Sequence, residues 1–360
     1  MVPFNKYAPL ALALALACGH GVAVAAEYVD VLDLPAKPSA LAATGPLRDV
    51  TRAGARLVAV GARGHVVFSD NQGRDWQQAK VPVSADLNAV VFPTASEGWA
   101  VGNDGVVLHS RDAGASWEKQ LDGRQIGALV LAHYQARALA EPGDAQWSTW
   151  VAEGQRLVEE GADKPLLDVA FTDALHGYAV GVFNLILRTD DGGRSWVPMQ
   201  AQTDNPQGLH LTSIATADDA VYIAGEQGLL LKWSAGQQRF TALPSPYQGT
   251  WFGVLATPHA VLAYGLRGHV ARSTDGGQSW AKVDTGLPLS ITAASQDASG
   301  DIWLFSQAGH ALRSHDGGAG FTLQATAPLA PVAGAVQGLA DGNVLVGERG
   351  VRVLPARQDP

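Results

Sequence analysis

Five copies of an octet with the pattern S-x-D-x-G-x-x-W carry side chains that could serve acid–base chemistry or hydrogen bonding within a turn. A carboxylate at the third position can accept backbone N–H bonds of its own turn, and the glycine can adopt the positive φ that other residues avoid. We therefore interpret the octets as structural, with the last aromatic ring filling the space between neighbouring sheets. The third residues are Asn71, Asp112, Asp191, Asp275 and Asp316, and the last residues are Trp76, Trp117, Trp196, Trp280 and Phe321.

The octets belong to a longer repeat in which a G-x-x-G turn lies fifteen residues before the last aromatic ring. This turn marks seven units, because a degenerate copy begins at Gly225 and a half-copy begins at Gly347. The units follow one another at intervals of 40 to 44 residues, except for one interval of 79 residues between Gly102 and Gly181. A fixed period of this length indicates a repeat architecture, and the long interval indicates an insertion.

Each unit contains short runs rich in valine, leucine and tryptophan, separated by turn residues, which is the pattern of a propeller blade. The sequence therefore predicts an all-β fold, a seven-bladed β-propeller of four-stranded blades. The seventh unit has only three such runs. We expect residues 28–32 to supply its outer strand, so that the ring is closed by an N-terminal strand and two strand edges are covered.

The N-terminal residues have the pattern of a secretory signal peptide, with Lys6, an apolar run at residues 8–17 and an A-x-A motif at residues 23–25. We expect residues 1–26 to be removed and residues 27–360 to form a single propeller that is periplasmic or secreted. The apolar run is too short to span a bilayer. Cys18 is the only cysteine and offers the alternative of a lipoprotein, although Ala15 stands where a lipidation motif prefers leucine.

Composition restricts the partners. The 360 residues are 47% hydrophobic and 16% charged, and their formal net charge is −9. An acidic chain without a run of lysine or arginine is a poor candidate for binding nucleic acid or anionic lipid. We expect a monomer, because a closed ring needs no capping partner.

The strand pattern stops in residues 124–163, which fill the long interval. Two stretches with apolar residues at helical spacing flank the breaker E-P-G-D, and these features predict a helical hairpin between blades two and three. The hairpin should lie on the side of the ring that carries the G-x-x-G turns. Trp147 and Trp150 are candidate partner contacts, with one packing the hairpin onto the ring and the other anchoring a partner.

Three of the turns carry an arginine that could clamp a carboxylate or phosphate of a partner, namely Arg63, Arg267 and Arg349. The alternative is that these are solvated turn residues of little consequence. Three histidines also follow such turns, but their blades are too far apart around the ring for a shared metal ion. We therefore predict neither a metal nor a cofactor.

Octets of this kind occur in sialidases and other glycosidases, so an enzyme is the alternative function. The arginine-x-proline signature of sialidases does not follow Arg48 or Arg52, and the sequence contains no nucleophile elbow, phosphate-binding loop or HExxH motif. Sequence alone does not place two carboxylates at the spacing that glycosidases need. We therefore expect a non-catalytic protein.

The complete unit resembles the propeller repeat of the photosystem II assembly and stability factor family. The match is clearest at residues 87–117, LNAVVFPTASEGWAVGNDGVVLHSRDAGASW, and at residues 166–196, and it covers about residues 47–354. The resemblance implies an exported, cofactor-free propeller that binds membrane-protein clients during assembly through an arginine patch. We thus predict an assembly, stability or scaffold factor for a membrane or cell-envelope protein complex, such as a transport or export system.

Overall fold

The structure, a computed structural model, describes residues 29–324, 330–339 and 342–355. Seven antiparallel sheets follow one another around a ring, and the first strands of neighbouring sheets contact one another. The prediction of an all-β, seven-bladed propeller with a helical insertion is confirmed. Blade one contains β1 (Leu47–Ala53), β2 (Arg56–Gly61), β3 (Val66–Ser69) and β4 (Gln77–Gln78); blade two contains β5 (Leu87–Val91), β6 (Gly98–Gly102), β7 (Val107–Ser110) and β8 (Glu118–Leu121); blade three contains β9 (Leu166–Phe171), β10 (Gly177–Gly181), β11 (Ile186–Thr189) and β12 (Val197–Pro198). Blade four contains β13 (Leu211–Ala217), β14 (Ala220–Gly225), β15 (Leu230–Ser234) and β16 (Arg239–Ala242); blade five contains β17 (Trp251–Ala256), β18 (Val261–Gly265), β19 (Val270–Ser273) and β20 (Ala281–Val283). Blade six contains β21 (Ile291–Gln296), β22 (Ile302–Ser306), β23 (Ala311–Ser314) and β24 (Thr322–Leu323), and blade seven contains β25 (Gly334–Leu339), β26 (Gly342–Gly347) and β27 (Gly350–Pro355).

The hydrophobic core lies between the blades, because the second strand of each blade is buried on both faces. Between blades two and three, Trp99 is fully buried and stacks on Phe171 with ring centroids 3.9 Å apart. Between blades one and two, Trp117 meets Phe92 edge to face at 5.8 Å. Aromatic pairs of these geometries contribute about 0.5–1.5 kcal/mol beyond the burial of their surface.

Side chains near the axis link each blade to the next. In six blades the second residue of the first strand bulges out of the strand pairing, and in five of them this residue or its successor reaches the neighbouring blade. In blade five the link comes from Tyr264 of the second strand. Such bonds satisfy backbone groups that would otherwise be buried without partners. The links across neighbouring blades are Asp49–Val90, Asn88–Leu166, Asp168–Ile214, Thr212–Trp251, Tyr264–Ala294, Thr292–Val332 and Arg52–Gln337.

The closure of the ring differs from the expectation of an N-terminal outer strand. Among the described residues, blade seven has three strands, and residues 31–34 form turns rather than a strand. Leu32 is buried among side chains of blades one and two, and the N–H of Ser84 donates to the carbonyl of Val31 over 2.8 Å. This apolar contact holds the segment against the connection between blades one and two. Blade seven instead meets blade one directly, through Val336 and Val344.

The insertion consists of α1 (Gly123–Ala140) and α2 (Gln146–Glu160). Asp122 begins α1 with a capping box, because its carboxylate accepts from the first turn while the Gln125 side chain accepts from the Asp122 N–H. Val130 and Tyr134 of α1 are fully buried in the core shared with blades two and three. The hairpin is therefore part of the propeller core rather than a loose appendage.

The predicted signal peptide at residues 1–26, including Cys18, lies outside the described residues, as does Tyr28. Within the ranges that the structure describes, neither helix is long and apolar enough to cross a membrane.

Candidate functional site

We call the face of the ring that carries the turns between second and third strands the turn face. Five of its turns share an unusual backbone conformation. The third residue of five of these turns has a positive φ, although none of the five is glycine. This left-handed conformation is uncommon for residues other than glycine. Four of the five side chains are exposed, and that of Asp104 is half-buried. The five residues are Arg63, Asp104, Phe183, Gln227 and Arg267.

The three predicted arginines, Arg63, Arg267 and Arg349, lie at the equivalent turn position in blades one, five and seven, and all three are exposed. No carboxylate of the described residues pairs with any of their guanidinium groups. Their turns are nevertheless fixed, since the backbone N–H of Arg63 donates to Asp86 over 2.8 Å. These cations thus retain their hydrogen-bond donors for a partner, which an arginine in an internal ion pair would not.

The charge on the turn face is unevenly distributed. Asp104 occupies the arginine position in blade two, and burial raises the pKa of its carboxyl, with further increases from Asp30, Asp86 and Asp163. Four carboxylates therefore lie close together near blade two, where Asp86 and Asp163 are paired with Arg48 and Lys164. Asp86 also contacts the turn of blade one, while the other two arginine turns lie in blades five and seven. A partner that follows this pattern would place its acidic groups away from blade two.

Trp147 and Trp150 have different environments. Trp147 is only 4% exposed, its indole N–H donates to Glu141 over 3.0 Å, and Arg137 lies over its ring. It packs within the hairpin, as expected for one of the two tryptophans, and a partner contact through its ring stays a prediction. Trp150 is half-buried, stacks on Tyr134 with ring centroids 5.5 Å apart and lines a groove on the turn face.

Sequence reasoning missed two carboxylates near the axis. Asp49 and Asp168 each accept two backbone N–H bonds, one from their own strand and one from the next blade. Burial raises the pKa of Asp49 to about 7 and that of Asp168 to about 6, and Asp168 adds to the shift of Asp49. The D-x-x-F pattern at Asp168 was the available signal. Because backbone donors occupy both oxygens of each carboxylate, this pair fits a structural role better than catalysis.

The octets place their side chains in one recurring geometry. In blade two the two oxygens of Asp112 accept from the N–H and the hydroxyl of Ser116, over 2.8 and 2.6 Å. The indole N–H of Trp117 donates to Gly114 over 3.1 Å. The equivalent bonds hold the lowered pKa of Asp275 at about 2, chiefly through the hydroxyl and N–H of Ser279. Asp191 and Asp316 accept bonds of the same kind, and Trp76, Trp196, Trp280 and Phe321 pack beside their octets.

Blade one keeps this geometry, but the side chain at the third position donates the hydrogen bond to the side chain at the seventh position instead of accepting it. Asn71 accepts the N–H of Asp75 over 2.8 Å, while its amide donates to the Asp75 carboxylate over 2.8 Å. The acid has therefore moved from the third to the seventh position of the octet.

Two of the three histidines that follow these turns bond within their own blades, whereas His65 bonds to the backbone of Lys37 in the N-terminal segment. His269 bonds to the carbonyl of Leu266 over 3.0 Å and stacks on Tyr247, while His310 bonds to Ser306 over 3.0 Å. In the part of the chain that the structure describes, no group of three ligand side chains is arranged to hold a metal ion.

Comparison with known families gives one match that covers more than half of the chain. A family described as "Photosynthesis system II assembly factor YCF48" matches residues 43–141 and 147–281. The matched segments extend from blade one into blade five and include most of the hairpin.

Individual relatives match shorter segments. The chain is 36% identical over 118 residues to the photosystem II assembly lipoprotein Ycf48 of Synechococcus sp. (strain CC9902), which covers 32% of this chain and 35% of the relative. It is 30% identical over 165 residues to the photosystem II assembly protein Ycf48 of Synechococcus sp. (strain JA-2-3B'a(2-13)), covering 41% and 46% respectively. The chain thus matches less than half the length of these relatives.

Among solved structures, one described as YCF48 bound to D1 peptide superposes with a TM-score of 0.61 at 16% sequence identity. The superposition covers 86% of this chain and 92% of the other. At this level of identity the similarity shows the fold.

Proposed function

Because the chain belongs to the family of the photosynthesis system II assembly factor YCF48, we propose that it is a non-catalytic assembly factor that binds a membrane protein. The client would belong to a complex of the membrane or cell envelope, such as a transport or export system. The family relationship supports an assembly role, and the solved YCF48 with a D1 peptide supports a membrane-protein client.

The observation that carries the proposal is the set of three exposed arginines on the turn face, none of which pairs with a carboxylate of the described residues. In a chain with a formal net charge of −9, cations left unpaired on one face are suited to a carboxylate of a client. A rigid ring suits this task, because it holds loops from different blades at fixed relative positions.

Export supports the same role. The N-terminal pattern fits a secretory signal, and one relative is named a lipoprotein. We propose that the protein works in the periplasm or at the outer surface of a membrane, either free after cleavage near Ala25 or attached through a lipid on Cys18. Mass spectrometry of the mature N-terminus distinguishes the two, because only lipidation leaves Cys18 at the first position.

A pair of triple variants tests the role of the arginines. Arg63, Arg267 and Arg349, each changed to Ala, should reduce the amount of client that co-purifies with the tagged chain from detergent-solubilised envelopes by at least about tenfold. The matched control changes Arg74, Arg111 and Arg194 to Ala, which removes the same charge from the opposite face of the ring. Equal recovery of the client by both triple variants would contradict the proposal.

A further inference from the structure

A groove on the turn face lies between the hairpin and the connection that joins blades three and four. Its volume is about 870 Å³, within the range of about 300–1,000 Å³ that is typical of ligand sites. Trp150 and Arg156 of α2 form one wall, Asn205 and Gln207 the other, and Phe183 and Arg239 complete the lining. We call it the hairpin groove.

Phe183 is the unusual residue of this groove. The other four turns with a positive φ at the third position have arginine, aspartate or glutamine there, whereas blade three has an aromatic ring that is 51% exposed. The left-handed region is strained for a bulky residue, so the surrounding structure must hold Phe183 in this conformation. Neighbouring residues hold it, since His210 accepts the Phe183 N–H over 3.0 Å and meets its ring edge to face at 4.6 Å.

The walls of the hairpin groove are fixed before any ligand arrives. Asn184 accepts bonds from Thr203 and Asn205, each over 3.0 Å, and these three side chains are buried. They set the conformation of the connection between blades three and four. On the opposite wall, the ring of Tyr134 supports Trp150 while its hydroxyl bonds to Gln200 over 3.1 Å. Little conformational entropy would therefore be lost when a ligand binds.

The charged groups of the hairpin groove are paired with one another. Arg156 bonds to Glu153 over 2.5 Å and to Glu160 over 2.9 Å, and Arg239 bonds to Asp204 over 2.5 Å. A ligand with a net charge would have to compete with these ion pairs. Asn205 is buried and bonded to Asn184 and Leu209. The exposed amide of Gln207 and the aromatic rings instead suit the hydrogen-bonding backbone and an apolar side chain of a peptide.

We propose that the hairpin groove binds a short extended segment of a partner protein that carries an aromatic or branched aliphatic side chain and no net charge. The segment's apolar side chain lies between Phe183 and Trp150, and its backbone bonds to the Gln207 side chain on the opposite wall. The inference rests on the proposed function, since it describes a second contact, separate from the arginine turns, through which the turn face holds its client.

The test uses a display library of random seven-residue peptides selected on the immobilised full chain, followed by fluorescence anisotropy with the selected peptides. The expected sequences share an apolar residue and carry no net charge. Phe183→Asn should raise their Kd by at least about tenfold. Asn tolerates the left-handed region, so this variant should unfold at the same temperature as the wild type or a higher one.

Leu139→Asn is the matched control, because Leu139 is an 83% exposed apolar residue of α1 outside the hairpin groove. It should leave the Kd unchanged. Failure to select any peptide that prefers the wild type over Phe183→Asn would overturn the inference. Selection of acidic peptides whose binding depends on the arginine turns would also overturn it, while supporting the proposed function. Recovery of groove-binding peptides together with no envelope client would instead support this site and contradict the proposed function.

Discussion

At the scale of single residues, the octets show how one geometry tolerates different side chains. The third-position carboxylate in blades two, three and five accepts from a serine at the seventh position, as Asp112 does from Ser116. In blade one, Asn71 and Asp75 make the same two contacts with the acid at the other end. In these four blades the third and seventh side chains therefore form one acceptor–donor pair with a single negative charge, whereas Gly320 of blade six supplies only its N–H.

This pairing predicts the behaviour of Asn71→Asp. The change places two carboxylates in contact, so the variant should lose a few degrees of Tm at neutral pH and regain them as either carboxylate is protonated on acidification. The double variant Asn71→Asp/Asp75→Ser recreates the arrangement of blade two and should recover the wild-type Tm. Differential scanning calorimetry at pH 7 and pH 4 measures both effects, and a double variant no more stable than the single one would contradict the account.

The pair Asp49 and Asp168 gives a second residue-scale expectation. Their folded-state pKa values, about 7 and about 6, lie above the usual value of 3.8 for an unfolded aspartate. An acid with a raised pKa stabilises the folded state below its unfolded value, and this contribution is lost as the pH rises through the folded value. The two carboxylates should therefore lower the free energy of unfolding between pH 4 and pH 7.

Asp49→Asn removes one of these titrations. Three histidines act in the opposite direction over the same range, because burial chiefly lowers their pKa values. They are the buried His109 and the half-buried His65 and His133. The informative quantity is therefore the difference between variant and wild type. From pH 5 to pH 7.5, the free energy of unfolding of Asp49→Asn should fall less, or rise more, than that of the wild type. Parallel curves from urea denaturation at several pH values would contradict the shift.

At the scale of elements, one buried tyrosine links the hairpin to blade three by hydrogen bonds. The hydroxyl of Tyr134 bonds to the Gln200 side chain and accepts the N–H of Ala201 over 3.0 Å. Four other buried side chains of the two helices contribute to the same core, so the hairpin shields apolar surface of blades two and three. Its removal should therefore expose this surface as well as remove a wall of the hairpin groove.

Tyr134→Phe tests this attachment with little change in volume. The Ala201 N–H loses its acceptor, and we expect a destabilisation of about 1–3 kcal/mol. Hydrogen–deuterium exchange should become faster in α1, α2 and residues 199–209, while blades five and six keep their wild-type rates. Uniform acceleration around the ring would show that the hairpin and the ring unfold as one unit.

At the scale of the whole molecule, local sequence patterns predicted the architecture. Contacts between residues far apart in the sequence decided where single segments pack and which side chains are exposed. The octet and the G-x-x-G turn are short patterns with local causes, so the blade count, the strand order and the hairpin followed from the sequence. The position of Leu32 depends on an apolar site formed by two blades, which no local pattern shows. Likewise, whether Trp147 or Trp150 is exposed depends on how the hairpin packs on blade three.

The same distinction applies to the candidate site. The turn position of Arg63, Arg267 and Arg349 was predictable, because the repeat aligns equivalent residues on one face. Within the described ranges, the lack of carboxylate partners for these arginines and the carboxylates around Asp104 depend on segments far apart in the sequence. The hairpin groove arises only when α2 is placed beside the connection between blades three and four.

Site-specific photocrosslinking in the native envelope tests the central claim, that the turn face binds a protein client, most directly. A photoreactive benzophenone amino acid would replace Arg63 or Arg267 on the turn face, and Arg111 or Arg194 on the opposite face. The account predicts one dominant crosslinked membrane protein from the two turn-face positions and none from the other two. The same product from both faces, or a product from the opposite face alone, would contradict it.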